Sequence, residues 1–196
     1  MRFRKTELAV IASLILAVAA VLLLSARQED FSQKLIRLHV TAESDSEADQ
    51  QEKLRVRDAV LDLLEKRLDG VTDRASAERV LSGSLREIGL AAEKTCGKRV
   101  TVTLEDEFFP TREYETFSLP AGIYRALRVT IGAGAGRNWW CVVFPPICMG
   151  GLETGAAEAV FSPEEIGMVT EISPGCEIRF RVFELIGQLR GILSGA

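Results

Sequence analysis

Histidine is almost missing from this chain: His39 is the only one in 196 residues. A zinc site built on paired histidines therefore has no ligand set, since such sites take their ligands at short fixed spacings. The four cysteines do not repair this, because Cys141 and Cys148 stand seven apart, beyond the spacing of a zinc clamp. Basic charge is also scarce. Lys and Arg number 24 against 28 Asp and Glu, a net charge of -4. Arg2, Arg4 and Lys5 crowd at the start, so the remainder is more acidic still. Such a body has no basic stripe for phosphates, and nucleic acid is not an expected partner. Nor would charge alone hold it to anionic lipid. Aromatic residues make up only 7% of the chain, and no internal repeat or low-complexity tract occurs.

What is plentiful at the start is apolar sequence. MRFRKTE leads into LAVIASLILAVAAVLLLS (8–25), which carries no charge. About 20 such residues span a bilayer as a helix. The basic residues before the run keep residues 1–7 cytoplasmic, and everything after Ala26 outside. Residues 8–26 are expected to be a transmembrane signal-anchor or a signal peptide. A cut after Ala26 would place Leu24 where a small residue is wanted, which favours the uncleaved anchor. Residues 27–34 read as a polar linker, and 35–196 as one extracytoplasmic domain. Cys96, Cys141, Cys148 and Cys176 all fall in that exported part, where disulfides persist. Four cysteines allow three connectivities, and spacing does not choose among them.

Beyond the linker, KLIRLHVTA (34–42) alternates. Ile36, Leu38, Val40 and Ala42 point one way, and Leu35, Arg37, His39 and Thr41 the other, as in a half-buried strand. Ser44, Asp45 and Ser46 can cap a helix over about 47–68, closed by Asp69-Gly70. A second helix starts at Thr72 or Asp73, with Ala77, Val80, Leu81, Leu85 and Ile88 at helical spacing. Strands follow at 98–105, 122–132 and 139–144. A long Pro- and Gly-marked connection separates the first two, and GAGAGRN forms a turn before the third. Residues 149–163 read as loop, and the segment after Pro174-Gly175 as a final helix or strand and helix. Runs of helix then strand predict an α+β fold: a single exported domain with a mainly antiparallel sheet covered by helices, preceded by one N-terminal transmembrane helix.

Candidate chemistry is thin. A Cys-His dyad, as in a cell-envelope hydrolase, would need His39 beside a free cysteine and a third group to orient it. The simpler expectation is a histidine hydrogen-bonded at the sheet rim, to Asp45 or Asp49. Asp45, Asp49 and Glu52 could hold a cation, yet helix N-termini collect acids anyway. GAGAG (132–136) has no helix after it and no third glycine of the phosphate fingerprint, so it reads as a turn. No cofactor and no metal are expected. NWWCVVFPPIC (138–148) is the densest unusual stretch. Adjacent tryptophans on a strand face opposite ways, and tryptophan is enriched at binding hot spots.

Three stretches together resemble the stage II sporulation protein R family: LHVTAESDSEADQQEKLRVRDAV (38–60), FPTREY (109–114) and LPAGIYRALRVTIGAGAGRNWWCVVFPPIC (119–148). The chain departs from the family's usual HVIANSD at HVTAESD (39–45), and Glu115 follows Tyr114 where Gly is usual. The resemblance implies a signalling protein and not an enzyme. It would act in the space between forespore and mother-cell membranes, membrane-anchored or secreted. There it would activate a membrane-embedded aspartic protease of the mother cell, stage II sporulation protein GA, which processes pro-sigma E. Asn138, Trp139, Trp140, Phe144, Pro145, Pro146, Arg112 and Tyr114 are the candidate partner-binding residues. Cys141 and Cys148 are the candidate structural disulfide, with Cys96 and Cys176 bridged or free.

Overall fold

In a computed structural model of the chain, residues 5–114 and 118–147 are described, without side chains at 5, 21 and 24–30. The expected loop at 149–163, the final helix and both Cys148 and Cys176 lie outside the described residues. The elements run α1 (Lys5–Gln33), β1 (Ile36–Thr41), α2 (Glu47–Leu68), α3 (Arg74–Cys96), β2 (Val100–Phe109), β3 (Arg112–Glu113), β4 (Ser118–Leu119), β5 (Gly122–Ile131) and β6 (Asn138–Phe144).

The helix ends follow their capping residues. Ser46 accepts the Asp49 amide at 3.2 Å and starts α2. Asp73 accepts the Ser76 amide at 2.9 Å and starts α3. Gly97, at φ 68°, closes α3 in the left-handed region that glycine enters without a side-chain penalty. The apolar run lies in α1, with Leu8, Leu14, Leu16, Leu22 and Leu23 exposed. Among the described residues no helix is long and apolar enough to cross a membrane. Within the run 8–25 the side chains at 21, 24 and 25 are not described. The stretch read as a linker continues α1 as far as Gln33. No Gly or Pro stops it, and Phe31 near its end is buried.

The four-stranded sheet has the order β2-β5-β1-β6. It is mixed. β1 and β5 run parallel at its centre, while β6 pairs with β1 and β2 with β5 antiparallel at the edges. The sheet is mainly antiparallel, as expected, except at the middle pairing, which is parallel. β5 returns between β1 and β2, an insertion that local sequence does not encode. β2 also runs four residues further than expected, through Phe109, and the connection after it contains the small β3–β4 hairpin.

Both faces of the sheet are covered. On one, Leu38, Val40, Leu127, Val129 and Ile131 pack against Val56, Val60 and Leu64 of α2 and Leu81 and Ile88 of α3. On the other, Leu35, Phe109, Tyr124, Ala126 and Val142 form a second cluster with Phe31, Leu119 and Ile147. β1 is consequently buried along its whole length and is not the half-buried strand its alternation suggests. Burying each large aliphatic side chain in these layers contributes about 1.5–3 kcal/mol.

The glycine turn has a specific task. Residues 132–137 carry the chain from β5 across the end of β1 to reach β6. Ala135 and Gly136 donate their amides to the carbonyls of Glu43 and Ala42 at 3.0 and 2.9 Å. A Cβ on Gly136 would collide with the Ser44 carbonyl oxygen. A strand follows the turn, as its sequence indicates, and no helix N-terminus is present to receive a phosphate.

Candidate recognition site

The polar residues of β1 all lie on the face opposite α2 and α3. Arg37, His39 and Thr41 are in register with Val142, Trp140 and Asn138 of β6 and with Ala126, Arg128 and Thr130 of β5. A buried polar layer results, roofed in part by the β3–β4 hairpin.

His39 is 4% exposed and sits inside this layer, not at the sheet rim. Its Nδ1 donates to the Glu107 carboxylate, 2.8 and 3.0 Å from the two oxygens. Its Nε2 lies 2.9 Å from Asn138 Oδ1 and 3.1 Å from Thr41 Oγ1. The ring tilts against Trp140, with centroids 5.6 Å apart, and meets Phe109 edge-on. Carboxylate, imidazole and hydroxyl thus stand in the order used by nucleophilic hydrolases. The hydroxyl is poorly placed for attack, since Thr41 is 3% exposed and donates to Asn138 Oδ1 at 3.2 Å. What the network does is hold Asn138 and Trp140 in place.

The described cysteines do not meet His39. Cys141 is in register with Leu38, whose side chain lies in the helix-side core. Cys96 is a free thiol whose Sγ donates to the Lys98 carbonyl. Cys141 is disulfide-bonded, while its expected partner Cys148 lies outside the described residues.

Arg37 is fully buried. Its guanidinium lies over Phe109 at 4.0 Å and Tyr124 at 4.9 Å, and its Nη2 donates to the Tyr114 hydroxyl at 3.0 Å. Burial pulls its pKa below the ordinary guanidinium value. Tyr114 in turn donates to the Trp140 carbonyl at 3.3 Å. Arg112 of β3 lies flat on the Trp140 ring at 3.8 Å. On the helix side, Trp139 joins the rim of the main core and carries Arg57 over its ring at 5.1 Å.

The expected residues Arg112, Tyr114, Asn138, Trp139 and Trp140 come together, with Arg137, around one pocket of about 430 Å³. Phe144 and Pro145 do not join them. Phe144 is 2% exposed within the helix-side core and Pro145 is buried, while Pro146 is half-buried. They shape the end of β6 from within. Sequence reasoning missed Arg37 and Glu107 and misplaced His39. The signal for Glu107 was available, because the alternation of β2 continues through 105, 107 and 109.

The acidic cluster near the start of α2 surrounds an ammonium group. Lys98 Nζ lies 2.7, 2.6 and 2.7 Å from carboxylates of Glu43, Asp49 and Glu52. The hydrogen bond from Lys98, then those from Ser44 and Ser46, lower the Asp49 pKa from 3.8 to about 2. Asp45 instead accepts the Arg137 amide at 2.7 Å.

The family model described as stage II sporulation protein R matches residues 32–154. Stage II sporulation protein R of Bacillus subtilis (strain 168) is 39% identical over 135 residues, which cover 66% of this chain and 59% of that protein. The alignment thus spans less than two thirds of its relative. No solved structure matches. The matched segment contains β1 to β6, the polar layer and every residue lining the pocket, and the chain belongs to the stage II sporulation protein R family.

Proposed function

We propose that the chain is an exported sporulation signal that activates a membrane-embedded aspartic protease of the mother cell, stage II sporulation protein GA, which then processes pro-sigma E. Family membership supports a sporulation role. The observation that carries the recognition part is the convergence of Arg112, Tyr114, Asn138, Trp139 and Trp140 on one pocket. Two tryptophans, a tyrosine and an arginine are the residue types that dominate binding hot spots. A buried network holds them in place, which lowers the ordering cost of binding. In this reading the protein is a ligand for the protease and not itself an enzyme. Residues 8–26 anchor it or direct its export into the space between the two membranes, and the Cys141–Cys148 bridge fixes the strand end behind the pocket.

The test is pro-sigma E processing, followed by immunoblot through sporulation. Cells lacking this chain should accumulate the pro-form, and a copy carrying Trp140→Ala should restore processing poorly while accumulating normally. Timely processing in the deleted strain removes the proposal.

A further inference from the structure

We propose that the pocket between β3 and β6 receives a carboxylate side chain from an extended acidic segment of the partner. This rests on the reading of these residues as a contact surface and adds the chemistry of what they contact.

Arg112 lines the pocket and Arg37 is joined to it through Tyr114, and among the described residues neither is paired with a carboxylate. Arg37 Nε and Nη1 are buried without an acceptor, as is Arg112 Nε. Aromatic rings face both guanidinium groups, but rings supply no lone pairs to their N–H donors. The two charges repel, and Arg112 adds to the downward pull of burial on the Arg37 pKa. Tyr114 stands between them as a lining residue of the pocket and the acceptor of Arg37.

The other polar groups point the same way. Asn138 Oδ1 accepts from the Thr41 hydroxyl at 3.2 Å, so its amide NH₂ is the group left to donate. Arg137 also lines the pocket and is paired with Asp45 at 3.5 Å. Among the described residues no carboxylate lines the pocket. The walls are Trp139, Trp140 and Tyr114, which suit the methylene stem of an acidic side chain. A planar guanidinium fork matches a carboxylate in two parallel hydrogen bonds. A phosphate would match the fork too. However, the aromatic walls favour a side chain with an apolar stem.

Both tryptophans of the chain line the pocket, so their fluorescence reports on it directly. The detergent-solubilised full chain is titrated with the blocked peptide acetyl-Gly-Glu-Gly-amide, its Gln counterpart and inorganic phosphate. The Glu peptide should give a saturable change and the Gln peptide none. Arg112→Gln should weaken the response at least about tenfold, and Arg112→Lys, which keeps the charge but not the fork, by less. Identical curves for Glu and Gln peptides, or unchanged binding in both Arg112 variants, would overturn the proposal. Phosphate binding as tightly as the Glu peptide would also overturn it, in favour of a general anion site. No protease enters this titration, so its failure leaves the signalling role standing. Normal pro-sigma E processing without the protein would remove that role alone.

Discussion

Arg37 carries a charge into the interior with one hydrogen bond and two rings for company. A buried cation without a carboxylate costs stability, so Arg37→Met should leave the protein at least as stable in urea unfolding. The same variant should weaken recognition, a split between stability and activity that a purely structural arginine would not show. His39 behaves oppositely. His39→Ala leaves Glu107 and Asn138 without their shared partner and should cost about 2–3 kcal/mol by the same measurement. Neither role was legible from alternation. The period of two placed Arg37, His39 and Thr41 on one face correctly. It could not distinguish a face turned to water from one turned to a second buried layer, because polar residues satisfy the pattern in both cases. The tryptophan pair was easier to read, since adjacent strand positions must diverge, and Trp139 and Trp140 do so across β6.

The helices were the most legible elements. Ser46, Asp73 and Gly97 terminate them through side-chain and backbone bonds that local sequence announces. The start of α2 also carries a pH dependence. The Asp49 carboxylate has a folded pKa of about 2 against 3.8 unperturbed. A lowered carboxylate pKa contributes stability above the unfolded value that is lost as pH falls from about 4 towards 2. Asp49→Asn should flatten that part of an acid unfolding curve. The sheet order was not legible, because the central β1–β5 pairing joins segments separated by two helices and three strands. Its signature is indirect and lies in the turn that crosses β1. Gly136→Ala drives a Cβ into the Ser44 carbonyl and should destabilise by about 1–3 kcal/mol, read as a lowered Tm.

Taken whole, the molecule places the proposed contact residues on an edge strand and a short hairpin, with two packed layers behind them. The Cys141 disulfide adds a covalent constraint near that edge. Peptide mapping under non-reducing conditions should recover Cys141 linked to Cys148. Replacing both with serine should cost about 2 kcal/mol, the scale of closing a short loop.

The central place of β1 has a consequence for biosynthesis. This strand is made early, yet both neighbours that cover its edges, β5 and β6, come far downstream. A ribosome delivers the chain from its N-terminus, so β1 waits with two open edges while both helices and β2 are completed. An open apolar strand invites pairing with other chains, and inward-pointing charged residues are a known deterrent. Arg37 on this strand supplies that deterrent during the wait, before β5 and β6 enclose it.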